Sequence, residues 1–140
     1  PLLEVPAERE LSSLWRSFLD RWVDSVLTPV LVHGDLTADH ILCDPGRVQV
    51  AGVIDWGDAA IGDAALDFAG LLHDYGSQFT QQVLAAYHCD VDDSLWRRVV
   101  FYSRIVPVYE IQFALATGQE EHLERGLHLL ACKLSAREEG

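Results

Sequence analysis

The chain has 140 residues and a mass of 15.6 kDa, enough for one domain with its own hydrophobic core, and its 49% apolar and 23% charged residues exclude a disordered polymer. A net charge of −12 argues against a nucleic-acid partner, which needs clustered cations; it suits cationic ligands and metal ions, or simply a solvated surface. Three cysteines, Cys43, Cys89 and Cys132, form no CxxC pair, and no apolar run approaches the roughly 20 residues of a bilayer span, so a cytoplasmic protein with no membrane partner is expected.

From Glu8 to Leu27 the apolar residues Leu11, Leu14, Trp15, Phe18, Leu19, Trp22, Val23, Val26 and Leu27 keep the three-and-four spacing of one helical face. Thr28 and Pro29 end that helix. Short extended runs follow at Val30–Val32, Ile41–Cys43 and Val48–Ile54, with Asp44, Pro45 and Gly46 supplying a turn between the last two. Gly62 and Asp63 open a helix to about Tyr75, with Asp63 as its cap. Ser77 caps another to about His88, and Asp92 or Asp93 a long one from Ser94 to about Thr117, interrupted by Pro107 and stopped by Gly118. The last helix carries Leu123, Leu127, Leu130, Ala131 and Leu134 on one side and frays into the tail 136–140. The fold class is mainly α with a small β-hairpin region (α+β), in a single domain over residues 1–140.

The chemistry concentrates in that irregular centre, in HGDLTADHIL (residues 33–42) and VIDWGDAAIGDAALDFA (residues 53–69). Alone, His33-Gly34-Asp35 reads as an ordinary turn after a strand. Phosphoryl transfer, however, needs a carboxylate to orient the attacking hydroxyl and hard ligands for a divalent ion. Kinase loops place a second metal ligand five residues after the catalytic aspartate, and a further metal-binding aspartate in an Asp-x-Gly turn after a hairpin. Asp35, His40 and Asp55-Trp56-Gly57 occupy those places in that order. Their spacing predicts that all three side chains face one pocket, where a metal ion supplies the partner that carboxylates otherwise lack.

Together these two stretches resemble the aminoglycoside phosphotransferase family and related small-molecule kinases, and YEIQFALATGQEEHLERGLHLL (residues 109–130) is similar to the family's closing helices. The resemblance implies the C-terminal lobe of a protein-kinase-like fold, with ATP or GTP as phosphate donor and an aminoglycoside-like acceptor. It implies Asp35 as the catalytic aspartate and Asp55 as a Mg2+ ligand. His40 stands where asparagine is commoner, as in the branch that modifies the 2''-hydroxyl of aminoglycosides. An imidazole there brings Mn2+ into consideration beside Mg2+; the alternative is a packed loop histidine. His33 is implied to support the loop from beneath, and Asp67 to accept its backbone protons. Asp39, Asp58, Asp74, Glu110, Glu120 and Glu121 either line a pocket for a polycationic substrate or are solvated surface charges. Trp56 and Tyr109 read as core residues.

A working kinase also needs a glycine-rich loop and a lysine at the phosphates. No such loop is visible, and the single lysine is Lys133. The first residue is Pro1 and there is no methionine. The expectation is therefore a C-terminal lobe separated from its N-terminal nucleotide-binding lobe, inactive alone, with exposed apolar surface favouring self-association. The competing reading is a non-catalytic kinase-like binding or regulatory module; a purely structural helical domain leaves the motif pair unexplained.

Overall fold

A computed structural model describes residues 5–22, 28–47, 49–88 and 94–135. Val23, Val26, Leu27, Val48, Cys89, the caps proposed at Asp92 or Asp93, and the tail 136–140 lie outside the described residues. The elements in chain order are α1 (Val5–Trp22), β1 (Val30–Val32), a 3-10 turn at Ala38–His40, β2 (Ile41–Asp44), β3 (Gln49–Val53), a second 3-10 turn at Trp56–Asp58, β4 (Ala60–Gly62), α2 (Ala65–Ala85), α3 (Leu95–Thr117) and α4 (Glu120–Ser135). The chain is mainly helical with a small β region, as its patterning predicts. It divides into two compact units, residues 26–103 and residues 1–25 with 104–140.

In the unit 26–103, two antiparallel strand pairs frame the centre. β2 and β3 form the expected hairpin, Ile41 opposite Val53, with a bulge between Leu42 and Cys43. Its turn closes as Asp44 accepts the Gly46 amide on its side chain (2.8 Å) and the Arg47 amide on its carbonyl (3.2 Å). The sequence pattern did not reveal β4, a three-residue strand that pairs with β1 in the register Val30–Gly62, Leu31–Ile61 and Val32–Ala60. Both ends of segments 33–40 and 54–59 are thus tied to paired strands, which sets these two loops side by side.

Beneath them lies the core of this unit: Ala65, Phe68 and Leu71 of α2 against Leu95 and Val99 of α3, with Leu36 and Ile41 packed onto it from the loop and β2. Leu36 therefore anchors the motif loop hydrophobically. The two helices expected between Gly62 and His88 are the two parts of α2, which breaks at Gly76 (φ 78°, ψ 175°). Buried Thr80 donates its hydroxyl to the Gly76 carbonyl (2.9 Å) across that break.

Asp63 does more than cap. Its carboxylate accepts the Ala65 amide (3.1 Å), and Arg98 of α3 donates to it through Nε (2.8 Å) and Nη2 (3.2 Å). Both side chains are about 95% buried, so the start of α2 is pinned by a two-pronged internal ion pair that the sequence pattern did not reveal.

In the other unit α1 lies along α4. Ile105, Ile111, Ala114 and Leu130 are buried. Gly126 permits the approach of α4 to α3, since a Cβ there would sit 2.8 Å from Ile111 Cγ1. Contrary to expectation, α3 continues through Pro107; the proline is fully buried, and its packing offsets the one backbone bond it cannot donate. Tyr109, expected in the core, is exposed. α3 is also long and apolar enough, by length and composition alone, to cross a bilayer, a test that the core helix of a soluble protein passes as well. Arg97, Arg98, Arg104 and Glu110 interrupt its apolar residues, and Arg98 is spent on Asp63.

Candidate active site

The segment after β1 is held from below by α2. Asp67, in the first turn of that helix, accepts the His33 amide on Oδ2 (2.8 Å) and the Gly34 amide on Oδ1 (3.0 Å). One carboxylate thereby fixes the two consecutive peptide planes that lead into Gly34, just ahead of Asp35. Gly34 is required for this path: its φ is +87°, and a Cβ would lie 2.5 Å from the Asp58 carbonyl oxygen. Gly70, one turn beyond Asp67, leaves room for the Leu36 carbonyl, against which any Cβ would collide. Asp74, a further turn on, accepts the Ala38 amide (2.7 Å).

His33 joins this loop to the next. Its ring is buried, and Nε2 donates to the Ile54 carbonyl (2.8 Å), so Nδ1 is the acceptor for the Asp35 amide (3.3 Å). Trp56 lies against the same ring, centroids 4.8 Å apart, with its indole NH on the Val53 carbonyl (3.0 Å). Trp56 is half-exposed rather than the core residue its type suggests. Asp55, between Ile54 and Trp56, is the one non-glycine residue with positive φ among the described residues (φ 62°, ψ 58°). Aspartate tolerates this left-handed conformation at some cost, and the surrounding bonds hold it there.

His40 lies between the two carboxylates, stacked on His33 with centroids 5.6 Å apart. Its Nδ1 meets the Asp35 carbonyl oxygen at 2.7 Å, and since a carbonyl only accepts, Nδ1 carries the proton. Thr37 Oγ1 lies 3.3 Å from the same nitrogen. The Nε2 lone pair of the neutral ring then faces Asp55 Oδ2 at 3.7 Å, while Asp35 Oδ2 stands 3.8 Å from Nδ1. The bond to the Asp35 carbonyl, followed by the negative charges of Asp35, Asp55 and Asp39, holds the imidazole above its usual 6.5 against an opposing effect of desolvation.

Asp35, His40 and Asp55 thus come together, but not as three equal ligands. Among the described residues no group of three His, Cys, Asp or Glu side chains is arranged to hold a metal ion. His40 Nε2 and Asp55 Oδ2 face each other at 3.7 Å, and Asp35 sits across the ring, more than half exposed and open to solvent. This set fits a hard divalent cation. Its tautomer is fixed by the backbone, one donor is a carboxylate, and Mg2+ sites ordinarily draw most of their oxygens from phosphates and water.

The remaining predicted residues separate. Asp39 and Asp58 are exposed, in the 3-10 turns of the two loops. Glu110, in the other unit, is bound by Arg125 and lies 3.4 Å from His122. Sequence reasoning missed the contacts of Asp74, Gly70 and Arg98. The spacing of Asp67, Gly70 and Asp74, at i, i+3 and i+7 on one helical face, is the signal that could have exposed the first two.

Comparison with known proteins places the chain in a family. The model of a family described as the phosphotransferase enzyme family matches residues 2–102. Viomycin phosphotransferase of Streptomyces vinaceus is 32% identical over 125 residues, covering 86% of this chain and 40% of that protein. Among solved structures, the GDP complex of aminoglycoside 2'-phosphotransferase-IIIa superposes with a TM-score of 0.83 at 35% identity, over 96% of this chain and 46% of that one. A GDP and kanamycin complex of an APH(2'') enzyme gives 0.83 at 34%, over 95% and 46%. The chain spans about 40% of the length of the curated relatives it first matches. With a family model matching residues 2–102 and an overall fold that superposes on a solved member, the chain belongs to the aminoglycoside phosphotransferase family of phosphotransferase enzymes.

Proposed function

We propose that this chain is the catalytic and substrate-binding C-terminal lobe, one domain over residues 1–140, of a cytoplasmic kinase that moves the γ-phosphate of ATP or GTP to a hydroxyl of a small molecule. The observation that carries the reading is His40, held by a backbone carbonyl with its free nitrogen toward Asp55 and with Asp35 on the other side of its ring. Asp35 orients the acceptor hydroxyl and takes its proton. His40 and Asp55 hold Mg2+, with Mn2+ a competent substitute because imidazole is the softer donor. A divalent ion at that position offsets charge on the donor's phosphates. Asp67 and His33 keep Asp35 aimed by fixing the peptide planes on either side of Gly34.

Relatives and charge together support the acceptor class. A related structure holds kanamycin, and a net charge of −12 favours a polycationic, aminoglycoside-like substrate. Asp39 and Asp58 are exposed carboxylates within the two loops, available to meet its ammonium groups; Glu110, already bound to Arg125, contributes only if that ion pair opens. A glycine-rich loop and a buried lysine must come from an N-terminal nucleotide-binding lobe, so the chain alone is inactive and its exposed Leu31, Ile61, Trp15 and Leu19 favour self-association. Neither nucleic acid nor membrane is a partner.

The test joins the chain to a nucleotide-binding lobe and follows nucleoside diphosphate release with kanamycin and gentamicin as acceptors. Acceptor-dependent release that disappears in Asp35→Asn is expected. Nucleotide and metal binding without turnover on any hydroxyl-bearing acceptor, unchanged by Asp35→Asn, would instead favour the non-catalytic binding module.

A further inference from the structure

The two halves of the motif loop are held by different carboxylates of α2. Asp67 takes the amides of His33 and Gly34, on the Asp35 side. Asp74 takes the amide of Ala38, the first residue of the 3-10 turn Ala38–His40. That turn lacks a cap of its own. Thr37 stands at the capping position in extended conformation and makes no side-chain bond to the turn's amides; its hydroxyl lies 3.3 Å from His40 Nδ1 instead. The first amides of a helical turn have no partner within the turn and must find one outside it. Here a carboxylate 36 residues away in sequence supplies the bond at 2.7 Å. Between the two carboxylates, Gly70 lets the Leu36 carbonyl rest on the helix, so Asp67, Gly70 and Asp74 form a three-point template along one face of α2.

We propose that Asp74 is a positioning residue for the cation site: by capping the 3-10 turn from α2 it sets the orientation of His40, independently of the Asp67 clamp that serves Asp35. This rests on His40 and Asp55 being the cation ligands. The turn's own bond, His40 amide to Thr37 carbonyl at 3.1 Å, and the ring's bond to the Asp35 carbonyl carry the cap's effect to Nε2. Loss of the group that bonds a ligating ring, here the Asp35 carbonyl, ordinarily shifts metal affinity about tenfold or more, and the Asp74 cap acts by keeping that bond in place.

The test compares Asp74→Ala, Asp74→Asn and Asp67→Asn by residue-resolved amide hydrogen exchange and by Mn2+ titration in the absence of nucleotide. Asp74→Ala is expected to speed exchange at Ala38 about fivefold or more, to leave His33 and Gly34 protected, and to weaken Mn2+ about tenfold. Asp74→Asn, which keeps an oxygen acceptor, restores most of the protection at Ala38. Asp67→Asn loosens the other half, His33 and Gly34. Unchanged exchange at Ala38 in Asp74→Ala, or equal loosening of both halves, overturns the proposal. If the parent chain binds no Mn2+ at all, the cation reading fails by itself, and exchange at Ala38 still decides whether Asp74 caps the turn.

Discussion

Replacing Arg98 with alanine tests how firmly the scaffold under the motif loop is held. The Asp63 carboxylate is about 95% buried and receives two bonds from Arg98, at 2.8 and 3.2 Å, and one from the Ala65 amide at 3.1 Å. Removing the guanidinium leaves a buried charge with one amide and the start of α2 for company. Breaking such a pair costs about 3–5 kcal/mol; the surviving amide bond and the helix terminus place this case near the lower end, at ~3 kcal/mol. At ~4 °C per kcal/mol for a chain of this size, the melting temperature should fall by ~12 °C. Urea unfolding followed by tryptophan fluorescence reads the loss directly, because Trp96 packs against the same core. The double substitution Asp63→Asn with Arg98→Met keeps an acceptor for the cap, removes the stranded charge and should recover most of the stability. A single Arg98→Ala variant within ~0.5 kcal/mol of the parent, the spread of an ordinary surface substitution, or a double variant no better than the single, refutes the reasoning.

Gly34→Ala should cost ~2–4 kcal/mol, since it combines left-handed strain with a 2.5 Å approach to the Asp58 carbonyl; thermal melts measure it, and Gly52→Ala, with open space around it, is the control. When the chain is joined to a nucleotide-binding lobe, the proposed role of Asp35 predicts that Asp35→Asn lowers kcat by about 10²- to 10⁴-fold with little change in KM, checked by steady-state kinetics over the acceptor. Mn2+ affinity should fall on acidification. The His40 imidazole is held above 6.5, so its protonation stabilises the apo fold fully below 6.5, and this contribution is lost as pH rises through the raised value. The ion needs the neutral ring and therefore tightens over that same rise. Isothermal titration at several pH values reads the slope, and His40→Gln should flatten it.

Much of the scaffold was legible because it follows from periodicity and turn chemistry. The helical spacing in residues 8–22, the Asp44-Pro45-Gly46 turn and the break near Gly76 each have a local cause, and each appears where that cause places it. The motif pair was legible for the same reason: His40 stands five positions after Asp35, and the β2–β3 hairpin returns Asp55 beside them. What escaped was non-local. β4 has only three residues and owes its existence to pairing with β1. Arg98 and Asp63 are 35 positions apart, and nothing local marks either as buried. Asp74 looked like one more surface carboxylate until the Ala38 amide was seen on it. Pro107 was read by its usual effect on helices, whereas tight packing around a buried ring lets α3 run on. Trp56 and Tyr109 show the converse, large apolar residues left at the surface.

The claim on which the account turns is that a divalent ion is held between the His40 ring and the Asp55 carboxylate. Paramagnetic broadening of amide resonances by substoichiometric Mn2+ tests it most directly, because a chain of charge −12 also attracts cations diffusely. Broadening centred on residues 38–41 and 54–57 is expected, abolished by Asp55→Asn and strongly weakened by His40→Gln. Broadening spread over the acidic surface, or centred elsewhere and indifferent to both substitutions, would contradict it.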